Sequence, residues 1–92
     1  MMKVRFRRQA EVDILGITDW FGEVAPEAVP RILDDIYATI DRLIDFPRSG
    51  VKVPQLALRR IVTRKYRFKI AYDLTPDSIV IIGVFRFQDR EI

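Results

Sequence analysis

Between Arg59 and Lys69 the chain sets six cations in 11 residues: Arg59, Arg60, Arg64, Lys65, Arg67 and Lys69. Arg5 and Arg7 alternate with apolar residues near the start, and Arg86 and Arg90 fall near the end. Guanidinium and ammonium groups at this density grip phosphates or carboxylates. A solvated strand edge that deters aggregation has a similar composition. Arg86 and Arg90 have a bland alternative too, as a strand end paired with Asp89 or Glu91, because surface ion pairs are common and weak. The chain has no histidine and no cysteine. Ser-His-Asp and Cys-His mechanisms, disulfides, and metal sites built on imidazole or thiolate are therefore excluded. A catalyst would have to use Arg, Lys, Tyr, Asp or Glu. RNA cleavage, for instance, needs a base near the 2′-hydroxyl and an acid at the leaving oxygen. Only Tyr66, Tyr72, Asp89, Glu91 or a lysine of depressed pKa offers those functions, and no spacing in the sequence pairs them.

The charge is unevenly spread. Residues 1–46 hold six Lys/Arg and nine Asp/Glu, a net of −3, whereas residues 47–92 hold ten and four, a net of +6. The basic second half points to nucleic acid, an acidic peptide or an acidic protein surface as partner. Ninety-two residues make one domain. Met1–Arg8 has no apolar run of signal-peptide length, and the longest apolar stretch, Ile79–Phe85, is too short to span a bilayer. No membrane association and a cytoplasmic location are expected.

The elements that must position these cations follow from periodicity. Lys3–Arg7 alternates, with Val4 and Phe6 on one face and Lys3, Arg5 and Arg7 on the other, which predicts a short strand with one buried side. From Arg8 the apolar residues Ala10, Ile14, Ile17, Phe21 and Val24 recur at helical spacing, with Trp20 alongside, and Gly22 and Pro26 mark the helix end. Trp20 and Phe21 are expected in the core. Ala28, Ile32, Ile36, Ile40 and Leu43 predict a second helix over about 27–45, with Pro26 and Pro30 near its start and Asp34, Asp35 and Asp41 on its outer face. So short a link predicts an antiparallel hairpin.

A loop is expected from Phe46 to about Gln55, followed by strands at Leu58–Arg64, Tyr66–Leu74 and Ile79–Phe87. In the second of these, Tyr66, Phe68, Ile70, Tyr72 and Leu74 share one face, and Arg67, Lys69, Ala71 and Asp73 the other. Ile-Val-Ile-Ile is apolar on both faces, which places the last strand inside the sheet. The resulting class is α+β, in the order β-α-α-β-β-β, with a helical hairpin on one face of a four-stranded sheet. The other face should then carry Arg5, Arg7, Arg67 and Lys69, with Arg59 or Arg60 beside them.

The ordered segments resemble the RelE/ParE toxin superfamily of type II toxin–antitoxin systems. The resemblance rests on Ala10-x-x-Asp13-Ile14-x-x-Ile17-x-x-Trp20-Phe21, on Ala25-Pro26-Glu27-Ala28, and on Ile40-x-x-Leu43-x-x-Phe46-Pro47-x-x-Gly50. It continues through Leu58-Arg59, Phe68-Lys69-Ile70-Ala71-Tyr72 and Ile79–Arg86, and spans about residues 3–90. It implies the same fold, with the sheet mostly antiparallel; no cofactor or metal is expected. It also implies one of two activities: ribosome-dependent mRNA cleavage, as in RelE, or poisoning of DNA gyrase, as in ParE. Either would be neutralised by a cognate antitoxin with an acidic, apolar segment. In a RelE-like nuclease, Lys69, Arg86 and Arg90 would lie near the scissile phosphate. However, the superfamily's strand arginine falls on Lys69, its late His or Lys falls on Arg86, and its late tyrosine has no counterpart. These departures favour the ParE-like branch with a ParD-like antitoxin, ahead of the nuclease or an inactive antitoxin-binding module. The residues expected to contact antitoxin or target are Arg5, Arg7, Arg59, Arg60, Arg64, Lys65, Arg67, Lys69, Arg86 and Arg90.

Overall fold

The structure, a computed structural model, describes residues 1–86. Arg90, the candidate acid/base residues Asp89 and Glu91, and the expected strand end at Phe87 lie outside the described residues. Strand β1 (Lys3–Phe6) leads into helix α1 (Arg8–Val24), a single 3₁₀ turn (Pro26–Ala28) and helix α2 (Val29–Asp45). Strands β2 (Val51–Lys52), β3 (Arg59–Val62), β4 (Lys69–Leu74) and β5 (Ser78–Phe85) follow. The five strands form one sheet in the order β1-β5-β4-β3-β2. β1 runs parallel to β5, and every other pair is antiparallel.

The α+β architecture and the place of β5 between two neighbours agree with the expectation, but the sheet has five strands rather than four. The extra strand lies in the segment expected to be loop. Val51 and Lys52 are too few to leave a periodic trace, and they pair with Arg60 and Arg59 because Gly50 brings the backbone in close.

Both helices cover one face. Ala10, Ile14 and Ile17 of α1 and Ile32, Ile36, Ile40 and Leu43 of α2 pack on Ile70, Tyr72, Ile79, Ile81 and Val84. Each fully buried aliphatic side chain contributes roughly 1.5–3 kcal/mol. Register carries that face across the sheet, since Val4 lies opposite Ile79, Phe6 opposite Ile81, and Ile61 opposite Ile70. One irregularity breaks the alternation of β5. Ala71 pairs with Gly83 but Tyr72 pairs with Ile81, so Ile82 is the extra residue of a bulge. Ile81 and Val84 therefore face the same core although they are three residues apart.

The expected Leu–Pro–Gly ending of α2 acquires a physical reason here. The Tyr72 hydroxyl donates to the Pro47 carbonyl at 2.8 Å and accepts from the Gly50 amide at 2.9 Å. A Cβ on Gly50 would lie 2.5 Å from that hydroxyl oxygen and 2.9 Å from the Arg60 carbonyl oxygen, so only glycine fits. Burial pushes the Tyr72 hydroxyl pKa up, against the opposing influence of the Gly50 amide and Arg59.

Tyr72→Phe removes both bonds and leaves the Gly50 amide without its partner, which should lower unfolding free energy by roughly 1–2 kcal/mol in urea titrations. Gly50→Ala must also displace the Tyr72 ring and should cost more. An alanine variant at least as stable as the phenylalanine variant would show that the loop is not held this way.

Candidate functional site: a braced cationic hairpin

The six clustered cations do not lie together on the strands. Arg64, Lys65 and Arg67 are exposed on the loop that joins β3 to β4, because β4 begins only at Lys69. The expected strand from Tyr66 is thus shorter by three residues. Tyr66 is on the loop and partly exposed, and Arg67 adopts a left-handed backbone with φ 63°. No alternation pattern announces that turn, since a non-glycine residue rarely adopts it.

What makes the turn possible is Asp35. It was expected on the outer face of α2, yet it is only 7% exposed. Its carboxylate accepts from the Lys65 amide at 3.1 Å and from the Tyr66 amide at 2.7 Å. Burial by itself would raise its pKa. Hydrogen bonds from the Thr63 hydroxyl and the Tyr66 and Lys65 amides, with the nearby Lys65 charge, outweigh burial and hold the pKa below the ordinary 3.8. Thr63 closes the loop from the other side. Its amide donates to the Phe68 carbonyl at 2.8 Å, and its hydroxyl oxygen accepts from the Phe68 amide at 2.9 Å. The loop is therefore braced at both ends of its cationic tip. Sequence reasoning missed Asp35, because the i, i+1 pair Asp34-Asp35 reads as solvated charge.

The remaining cations disperse. Arg59 shares the helix-covered face with its partner Tyr72 and donates to the carbonyls of Gly50 (2.8 Å) and Arg48 (3.3 Å). It staples the loop after α2 and is not on the open face. Arg60 lies opposite Ala71, on the face away from the helices, and is half-buried. Lys69 faces the same way but is only 5% exposed, which corrects its expected role as a surface cation. Arg5 is exposed in register with Val80 on β1, three strand spacings (about 14 Å) from β3. Arg7 is exposed just before α1. Arg86 stacks over the Trp20 ring at 4.9 Å. Trp20 is 49% exposed, against the expectation of core packing. Only Phe21 turns inward, edge-on to Phe68 at 6.2 Å. Asp13, given a structural role from sequence, accepts from the Val84 amide at 3.0 Å and from Gln9 at 2.8 Å.

The arrangement is a two-helix, five-stranded α+β scaffold that presents a fixed loop of three cations and an aromatic at one end. Among the described residues the site gathers cations, and no acid/base pair is assembled there. The single tyrosine within the sheet, Tyr72, has its hydroxyl committed to backbone groups.

Comparison with known proteins agrees with this class. The model of the ParE toxin family, the toxin of the type II toxin–antitoxin system parDE, matches residues 4–91. The chain belongs to that family, within the RelE/ParE superfamily. Among solved structures, a chain of a chromosomal ParDE toxin–antitoxin system from P. aeruginosa superimposes with a TM-score of 0.82 at 20% identity, covering 96% of this chain and 98% of that one. No curated protein sequence matches. No helix among the described residues is long and apolar enough to cross a membrane.

Asp35→Asn should lower stability by roughly 1–3 kcal/mol at neutral pH, as expected for losing hydrogen bonds to a charged acceptor. It should also open the bonds after Arg64, Lys65 and Arg67 to limited trypsin digestion. Because the folded Asp35 pKa lies below 3.8, its contribution is present above about pH 4 and is lost as pH falls through the lower folded value. The gap between wild type and Asp35→Asn should therefore narrow in acid. A gap constant from pH 7 to pH 2 would contradict the assignment.

Proposed function

We propose that this chain acts by trapping DNA gyrase on cleaved DNA, and that a ParD-like antitoxin neutralises it. The observation that carries the reading is the braced hairpin. Arg64, Lys65 and Arg67 are exposed on a loop whose backbone Asp35 and Thr63 already hold in place. A loop ordered before binding loses little entropy on engaging a partner, and three cations suit a phosphate backbone or an acidic protein surface. Family membership supplies the toxin class.

The chemistry of the neighbouring residues supports a poison over a nuclease. Tyr72 is unsuited to proton transfer because its hydroxyl bonds Pro47 and Gly50 and its pKa is pushed up. Lys69 is buried, and Arg86 is engaged with Trp20. Arginine in any case exchanges protons poorly. A poison that stabilises an existing cleavage complex needs contacts and no acid/base pair. The antitoxin would cover the cationic surface with an acidic segment, drawing on the same charge complementarity.

Purified chain added to gyrase and supercoiled plasmid should cause linear DNA to accumulate. The double variant Arg64→Glu/Arg67→Glu should fold normally and lose most of that effect. Unchanged gyrase activity at saturating protein would remove this reading. Codon-phased cuts in translated mRNA, mapped by primer extension, would replace it with the nuclease.

A further inference from the structure

Helix α2 ends beside the far edge of β3, and the corner between them is a cleft of about 290 Å³. Its walls are Arg42 in the last turn of α2, Phe46 and Ser49 in the loop that follows, Ile61 and Val62 of β3, and Arg64 at the start of the cationic loop. The edge is open here, because β2 pairs only with Arg59 and Arg60 and ends before Ile61. Successive amides of a strand point to opposite sides. The Thr63 amide turns to Phe68, so the Val62 amide points to the side that β2 has left.

Two guanidinium side chains thus share one cleft, and no carboxylate lines it. Arg64 makes no hydrogen bond or ion pair among the described residues. Arg42 makes one long bond, donating to the Thr39 hydroxyl at 3.4 Å, and forms no ion pair with Asp41 or Asp45 beside it. Two like charges in one cleft repel until an anion joins them. Forked guanidinium donors match phosphate oxygens, and the Ser49 hydroxyl and Val62 amide are neutral donors beside them. The carbonyls that would oppose an anion here are already occupied. Phe46 accepts from the Ser49 amide, Pro47 from the Tyr72 hydroxyl, and Arg48 and Gly50 from Arg59.

Phe46 decides what kind of anion fits. It is 66% exposed, the most exposed aromatic side chain among the described residues. It lines the cleft and also an adjoining hollow of about 330 Å³ shared with Pro47 and Arg48. An aromatic ring in water beside a phosphate grip is a platform on which a nucleobase stacks. A bare anion or a carboxylate side chain would make no use of it.

We propose that this cleft binds a nucleotide, with its phosphate between Arg42 and Arg64 and its base on Phe46. The same chemistry is offered by a free nucleotide and by a nucleotide unit of a single strand. The site does not depend on which enzyme the chain acts upon, and its test uses the chain alone, so it and the gyrase reading can fail separately.

The probe is a short 5′-phosphorylated oligothymidylate carrying a 3′ fluorophore, titrated with the purified chain at low salt and followed by anisotropy. Arg42→Gln and Phe46→Ala should each weaken binding roughly tenfold, with unchanged circular dichroism. Ser49→Ala, at an exposed position, should weaken it in the same direction if either variant fails to fold. Arg31→Gln removes the same charge from an exposed position at the other end of α2 and should leave binding within about twofold of wild type, because one distant charge changes only the diffuse field. Thymidine 5′-monophosphate should displace the probe at lower concentration than inorganic phosphate does. An oligonucleotide that binds much more tightly than the monophosphate supports the site as part of a strand path, and equal affinities support it as a pocket for the free nucleotide. Equal losses in Arg31→Gln and Arg42→Gln with none in Phe46→Ala would reduce the binding to diffuse attraction and overturn the proposal. Displacement by inorganic phosphate as effective as by the nucleotide, or by an oligoglutamate peptide as effective as by the oligonucleotide, would overturn it as well.

Discussion

Asp35 leaves the second turn of α2 and ends between two backbone amides of a loop some thirty residues further along the chain. The cationic end of the molecule depends on that contact. A loop with Arg64, Lys65 and Arg67 repels itself and has no reason to adopt one backbone. Three hydrogen-bond donors converging on one buried carboxylate give it one, together with an attractive charge at its base. The left-handed turn at Arg67 is tolerable only because the residues on either side are fixed. The brace couples the layers as well, since the helix that covers the sheet also sets the loop that projects from it.

A second backbone-to-side-chain lock, at Tyr72, serves the opposite end of α2. It ties Pro47 and Gly50 to β4 and so permits β2 to add to the sheet. Arg59 reinforces the same loop by donating to two carbonyls. Two of the most conspicuous polar side chains of the sheet are therefore spent on architecture. Exposed cations among the described residues include those of the hairpin tip and, at the far edge, Arg5 and Arg7. The function proposed for this chain is correspondingly one of binding.

Much of this was legible in the sequence. Strand β1 and both helices follow from apolar spacing, and the α2 stripe Ile32, Ile36, Ile40, Leu43 is buried as its period requires. The interior position of β5 follows from Ile79–Ile82, which have apolar side chains on both faces. The family, too, was readable from the order of segments, although no single segment is distinctive. The errors share a physical cause. Period-two reasoning carried β4 back to Tyr66 and put Arg67 and Lys69 on one open face, because nothing local signals a left-handed arginine or a buried lysine. Composition placed Asp35 in solvent, because a carboxylate that bonds amides thirty residues away looks the same in sequence as one that bonds water. Hydropathy put Trp20 in the core, although its face of α1 turns outward. The Asp35 miss concerns a contact between residues distant in the chain, and several of the misses fall within the candidate site.

The most direct test of the braced hairpin is amide hydrogen exchange, residue by residue, across Thr63–Phe68. Lys65 and Tyr66 should exchange orders of magnitude more slowly than exposed loop amides, as slowly as strand residues, although their side chains are in solvent. Exchange of those two amides at the rate of an unstructured peptide would mean that Asp35 does not hold the loop, and that the cationic tip has no fixed shape to present.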